Sequence, residues 1–287
     1  MHRPVVAVER IALRSEGASR GTRRIPEETA VALTYNGGTY AVMMATPQDL
    51  TEFAVGFSLS EGIVERPDDI TSLDVISLDD GIELRMWLPP ARADLINARR
   101  RQIAGPTGCG LCGVDSIAQA VRPAAIVPHG GSFSQAQVMT AMQSLAPLQE
   151  INIETRAVHA AAFWTASQGI VALREDVGRH NALDKLCGAL ALGNVSASEG
   201  MVLLTSRVSV EMVQKAATLG APVMVAVSAP TALAVRMADA AGITLVAVAR
   251  ADGFEIFTHP GRIAANVGVG ETNMTEPKGN RTCRLTG

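Results

Sequence analysis

The chain has 287 residues, enough for one large domain or two ordinary ones with a substantial core. Hydrophobic residues make up 47% and aromatic ones only 3%, so the core must be built from Ala, Val, Leu, Ile and Met, a composition that suits parallel α/β layers. A formal net charge of -3 gives no general pull toward nucleic acid or acidic membranes, and no apolar run approaches the roughly 18 residues that span a bilayer.

Residues 1–27 mix Arg, Glu, Gly and Ser without clear periodicity and read as a poorly structured lead-in or an edge strand. They contain no continuous apolar leader, so a cytoplasmic location is expected. Val31 to Tyr35 and Thr39 to Ala45 are β-rich runs around Asn36-Gly37-Gly38, the chemistry of a hairpin turn. Thr46 as N-cap and Pro47 at the first helical position predict a helix to about Gly62. A second strand pair, Val75 to Leu78 and Ile82 to Leu88, turns at Asp79-Asp80-Gly81, which makes residues 28–130 a smaller α+β domain.

A polar helix from Arg92 to Gln102 ends in three arginines and delivers the chain to the glycine-rich stretch 105–113. Four glycines and a proline leave that stretch little helix or strand propensity, so Cys109 and Cys112 are expected to ride on a mobile loop. Nearby arginines and the start of a following helix at Val114 would favour a thiolate. A connector at 128–131 forms the hinge to a second domain, 131–270, where Ser134 and Gln137 spell a capping box. From Ile151 strands and helices alternate: strands at Gly169 to Leu173, Met201 to Thr205, Val223 to Ser228 and Ile243 to Ala249, helices at Asn181 to Ala191, Val210 to Leu219 and Thr231 to Ala241. Right-handed crossovers and a largely parallel sheet follow from that order, closed by a last strand, Phe254 to Thr258. Residues 271–287 read as a disordered tail, and Cys187, on an apolar helix face, as a small core hydrophobe.

Polar residues gather at the carboxyl ends of these strands: Arg174-Glu175-Asp176, Ser206-Arg207, Ser228 and Arg250. That edge of an open α/β sheet is where ligands bind, and Gly178-Arg179-His180-Asn181 opens a helix there as a natural phosphate site. The cysteine pair has three readings: half a zinc site, a dithiol redox centre, or a carrier of covalent sulfur. Zinc would have to borrow two of His129, His159 and His180, since no second Cys-x-x-Cys exists, and no metal site is expected. Dithiol exchange stays open, although the pair follows a charged helix instead of joining a strand to a helix. His159-Ala160-Ala161 stands before the sheet as the His-x-Glu element of zinc deaminases does, but Ala161 replaces the glutamate, so the general acid/base of that chemistry is missing.

The loop Thr107 to Gly113, the block Arg174 to Lys185, the run Ser206 to Lys215 and Ser228-Ala-Pro-Thr-Ala-Leu-Ala234 together resemble the FdhD family, over roughly residues 28 to 260. The resemblance implies a C-terminal α/β domain of cytidine-deaminase-like, three-layer sandwich fold beside the smaller α+β domain. It implies a sulfurtransferase that accepts persulfide sulfur from a cysteine desulfurase and passes it to the bis-pterin guanine dinucleotide molybdenum or tungsten cofactor of formate dehydrogenase. It further implies a homodimer, with Cys109 as the persulfide bearer, Cys112 as its partner on the loop, and Phe254, Glu255, Ile256, Phe257, Thr258 and His259 as a cofactor-contacting segment. His180, Arg207 and Ser228 are added here as guanine and phosphate contacts, for which GDP would be a mimic. No cofactor is expected to be permanently bound, and neither nucleic acid nor membrane is an expected partner. The alternative is a binding module that holds the guanine nucleotide or delivers cofactor without sulfur transfer.

Overall fold

The computed structural model describes residues 3–90, 92, 122–127 and 130–264. The cysteine loop 105–113, most of the arginine-rich helix before it, His129 and the tail 271–287 lie outside the described residues.

The chain opens with a long hairpin, β1 (Val5–Arg14) and β2 (Gly17–Pro26), paired in register from Val5 opposite Pro26 to Arg14 opposite Gly17. Of the two readings of this segment, the described residues follow the strand and not the poorly structured lead-in. Gly17 makes the turn at φ 121, and charges on both faces, such as Glu9 and Arg10, mask the two-residue period that marks a half-buried strand.

β3 (Thr29–Tyr35) and β4 (Gly38–Ala45) turn at Asn36 and Gly37, both at positive φ as a tight hairpin demands. Asn36 locks the turn to the next hairpin, donating from Nδ2 to the Leu88 carbonyl and accepting from the Leu88 N–H at 2.7 Å. α1 (Leu50–Ser60) follows, then β5 (Ser72–Leu78) and β6 (Gly81–Trp87). The sheet runs β4-β3-β6-β5, with β3 and β6 parallel, and buries Val31, Leu33, Leu84 and Met86 against Phe53 and Phe57 of α1. α1 starts at Leu50 with Asp49 as N-cap, not at Thr46 and Pro47; the Thr46 hydroxyl that would cap an earlier start accepts from Val177 N–H instead.

β7 (Phe133–Ser134) leads into α2 (Gln135–Gln143), where the expected capping box forms: Ser134 Oγ accepts from Gln137 N–H, and Gln137 Oε1 accepts from Ser134 N–H. A short helix, α3 (Glu150–Thr155), precedes β8 (His159–Thr165) and β9 (Gly169–Asp176). Then come α4 (Arg179–Leu192), β10 (Gly200–Leu204), α5 (Val210–Leu219), β11 (Val223–Ala226), α6 (Ala232–Ala240), β12 (Thr244–Arg250), β13 (Gly253–Ile256) and β14 (Ile263–Ala264), the last pairing with β7.

The main sheet has six strands in the order β13-β12-β11-β10-β8-β9. β10, β11 and β12 are parallel, joined by crossovers through α5 and α6. The flanks are antiparallel, which corrects the expectation of a largely parallel sheet. The links at 166–168 and 251–252 are too short for a crossover and permit only hairpins. One face packs Val202, Leu204, Met224 and Leu245 under α4, α5 and α6; the other packs Met201, Leu203 and Val225 with Phe133, Trp164 and α2. The result is mixed α/β, with helices on both faces of the main sheet.

α1 joins the two sheets by lying against α4. Gly56 faces the Asp184 carbonyl and Gly188 faces the Glu52 carbonyl so closely that neither position has room for a β-carbon.

Candidate functional site

The carboxyl ends of β9, β10, β11 and β12 lie along one edge of the main sheet, and the antiparallel β8 brings its first residue, His159, to the same edge opposite Asp176. α4 opens there directly after β9, with Gly178 as N-cap, and α5 opens after β10, with Ser209 as N-cap. Neither N-terminus is capped by a side chain, so both offer backbone N–H groups and the positive end of a dipole.

Around these helix ends the side chains are cationic or unsatisfied. Arg179 Nε, His180 Nε2 and Ser209 Oγ are buried with no hydrogen-bond partner among the described residues. Burial, then the charges of Arg179 and Arg207, hold the His159 imidazolium below the ordinary histidine range against the pull of Asp176. Burial, then Arg179 and Lys215, push His180 down to about 4, although Glu211 and Glu61 oppose them. At neutral pH the two imidazoles are thus uncharged donors and acceptors set among guanidinium groups. Neutral imidazoles, guanidinium groups and open helix N-termini are the chemistry that suits an anion with planar polar parts.

Part of the polar block does different work. The Asp176 carboxylate is fully buried and accepts from Thr46 N–H, Gly178 N–H, Asn181 Nδ2 and Lys185 Nζ, the last at 2.7 Å. Lys185 also donates to the Thr46 carbonyl, and Asn181 to the Met44 carbonyl. Asp184 accepts from Lys215 Nζ at 2.8 Å and from Ser60 Oγ at 2.6 Å. Burial works to lower Lys215, but Asp184 and Glu61 outweigh it, so its pKa stands above the usual lysine value and the pair is an ion pair. Glu175, whose carboxyl is raised by burial, takes the N–H groups of Ile151 and Asn152 at the start of α3. Asp176, Asn181, Asp184 and Lys185 therefore fasten α4 to α1 and to the 44–46 segment, which fixes where Arg179 and His180 point. Their sequence signal was charge on an otherwise Ala- and Leu-rich helix, the mark of a buried pair.

Of the residues read from the sequence, Arg179, His180 and Arg207 lie on this edge, where the structure adds His159 and Ser209. Ser228 follows β11 on the same edge, and its carbonyl accepts from Val248 N–H. Val248 sits at φ 54 in a bulge of β12, a strained backbone for a β-branched residue. The segment 254–259 runs away from this edge. Phe254 packs with the core on the α2 face, Ile256 and Phe257 are each 37% exposed, and Thr258 is buried against the Ile243 carbonyl and Leu245 N–H. His259 lies at the opposite edge, where its carbonyl accepts from Thr244 Oγ1 and its ring meets the Asp239 carbonyl at the end of α6. Within one chain, His259 and His180 do not belong to one site. Cys187 is buried and its thiol is pushed up to about 12 by burial and then Asp184, which leaves it inert. Cys109 and Cys112 lie outside the described residues.

Fold and site together define a mixed α/β protein with a cationic, histidine-bearing sheet edge, in a chain whose distinctive thiol pair precedes that sheet. The FdhD/NarQ family model matches residues 26–264, and the chain belongs to that family. It is 52% identical over 260 residues to the sulfur carrier protein FdhD of Agrobacterium fabrum, covering 89% of this chain and 95% of that one. To the protein of the same name from Brucella abortus it is 51% identical over 257 residues, covering 89% and 96%. The crystal structure of a Desulfotalea psychrophila protein assigned as a formate dehydrogenase accessory protein shares the fold at a TM-score of 0.72 and 24% identity, covering 91% of this chain and all of that one. Among the described residues no helix is long and apolar enough to cross a membrane.

Proposed function

We propose that this chain is a sulfur carrier that accepts sulfur from a cysteine desulfurase and delivers it to the bis-pterin guanine dinucleotide molybdenum or tungsten cofactor destined for formate dehydrogenase. What carries the reading is the sheet edge of Arg179, His180, Arg207 and Ser209 in a chain about half identical, over nearly its whole length, to proteins named sulfur carriers. The layered sheet is read as cytidine-deaminase-like, with the ligand edge reused and the deaminase glutamate replaced by Ala161.

In the first step the Cys109 thiolate attacks the outer sulfur of a desulfurase persulfide. A new S–S bond forms on Cys109, the old one breaks, and the desulfurase leaves as a thiolate, without net oxidation. In the second step the Cys112 thiolate attacks the inner sulfur of the Cys109 persulfide. The outer sulfur departs as hydrosulfide, and the Cys109–Cys112 disulfide left behind is reset by a dithiol reductant. Arg179 and Arg207 pair with pyrophosphate oxygens of the cargo, while the neutral His180 hydrogen-bonds without adding charge.

Incubation with a desulfurase and cysteine is expected to add about 32 Da, one sulfur atom, removable by reductant. Cys109→Ala is expected to take up none; loading equal to wild type would overturn the reading. If Cys109→Ala and Cys112→Ala both support formate dehydrogenase maturation while Arg207→Ala abolishes it, the chain is a cofactor-binding chaperone instead.

A further inference from the structure

The sheet edge is not uniformly cationic, and the exception is Glu211. It stands half-buried in the first turn of α5, two residues past the N-cap Ser209. Among the described residues it makes neither a hydrogen bond nor an ion pair. The carboxylates around it are engaged: Asp176 by Thr46, Gly178, Asn181 and Lys185, and both Asp184 and Glu61 by Lys215. A carboxylate in a first helical turn complements the dipole, yet here the same charge repels any phosphate drawn to Arg179 and Arg207. An acid without a partner, at an edge otherwise rich in donors, suits a ligand that brings donors of its own.

The edge is also divided along its length. Beyond burial, the charges that act on His159 are those of Arg179, Arg207 and Asp176, and those that act on His180 are Arg179, Lys215, Glu211 and Glu61. Asp176 and Lys215 are held in their own pairs. The His159 end is thus left with two guanidinium groups that have no carboxylate partner among the described residues, and the His180 end with one carboxylate. His180 Nε2 and Ser209 Oγ, both buried and without a hydrogen-bond partner among the described residues, go with the carboxylate end.

We propose that Glu211 selects guanine, its two carboxylate oxygens accepting from the N1–H and the 2-amino group of the base while the phosphates lie toward Arg179 and Arg207. Guanine presents these two donors side by side, which matches the two oxygens of a carboxylate. Adenine offers a lone pair at N1 and no 2-amino group, so it meets Glu211 with repulsion; hypoxanthine keeps N1–H but lacks the amino group. His180, as the Nε2–H tautomer, donates to the neighbouring O6. The assignment rests on the reading that a guanine dinucleotide is the cargo, and it names the side chain that recognises the base and the direction in which the nucleotide lies.

Calorimetry of the full chain with GDP, inosine diphosphate and ADP at one salt concentration tests it. The wild type is expected to bind GDP at least about a hundredfold more tightly than ADP and about tenfold more tightly than inosine diphosphate. In Glu211→Gln the preference for GDP over ADP is expected to fall below about tenfold, with ADP binding unchanged or tighter because a negative charge has gone. A wild type without base preference would overturn the proposal. So would a Glu211→Gln variant that binds GDP and ADP more tightly by the same factor, the result expected of a carboxylate that serves only the helix dipole, or one that loses all three nucleotides alike. The carrier reading is tested separately by sulfur uptake: a wild type that loads sulfur without preferring guanine removes this assignment alone, and one that prefers guanine but loads no sulfur removes the carrier.

Discussion

Replacing Lys215 with methionine isolates the energetics of the seam between the two sheets. In the folded chain Lys215 Nζ donates to both oxygens of Asp184, at 2.8 and 3.0 Å, to Ser60 Oγ at 2.9 Å and to Glu61 at 3.3 Å. The side chains of Lys215 and Asp184 are 8% and 1% exposed, so methionine fills the space while leaving a buried carboxylate with Ser60 Oγ as its hydrogen-bond donor. Stranding one partner of a buried pair costs about 3–5 kcal/mol, or a fall in Tm of about 10 °C for a chain of this size. Burial already raises Asp184 above its ordinary value of 3.8 against the pull of Lys215, and removing the ammonium raises it further. A carboxyl raised in the folded state contributes stability below its unfolded value, and that contribution is lost as pH rises through the folded value. The deficit of Lys215→Met is therefore expected to be larger at pH 8 than at pH 5 by urea denaturation, and Asp184→Leu added to it is expected to recover most of the loss. A deficit under about 1 kcal/mol, or one equal at both pH values, would refute the assignment of a buried ion pair.

His180 is held near 4, so protonating it opposes folding as pH falls below the ordinary histidine value of 6.5; between pH 7 and pH 5 this costs about 2 kcal/mol, and His180→Gln is expected to flatten that limb of the stability profile. At the α1–α4 contact, Gly188→Ala is expected to lower stability by about 2–3 kcal/mol in denaturant titration, since its new methyl meets the Glu52 backbone. With GDP as probe, calorimetry of Arg179→Ala and Arg207→Ala is expected to show about tenfold weaker binding each. His259→Ala at the opposite sheet edge is expected to match wild type.

Local chemistry made much of the fold legible. Asn36-Gly37 and Asp79-Asp80-Gly81 state their turns outright, Ser134 and Gln137 state their cap, and the apolar runs of β10, β11 and β12 state a buried parallel centre. Partnerships distant in sequence were less visible. Thr46-Pro47 is a good helix opening taken alone, but Val177, distant in the chain, claims the Thr46 hydroxyl that would cap it, and the helix starts at Leu50. The direction of β8 rests on a short hairpin whose residues carry no strong turn signal. At the candidate site, the sequence marked the edge by its polarity and named His180 and Arg207. It could not divide Arg174 to Lys185 into groups that face the ligand and groups that tie α4 down, because both kinds are charged. Strand direction sets the position of His259: β13 runs antiparallel to β12 and carries the segment to the far edge.

The close approach of α1 and α4 also sets an order of events during synthesis. A ribosome completes the four-stranded half first, and the Gly56 face of α1 must then wait uncovered until α4 emerges. The sheet edge waits as well, because Thr46 and the Met44 carbonyl complete the shell of Asp176 and Asn181 that aims Arg179 and His180. A nascent or truncated chain thus lacks the packing that orders Arg179 and His180, so this sheet edge takes its shape only once α4 has been made.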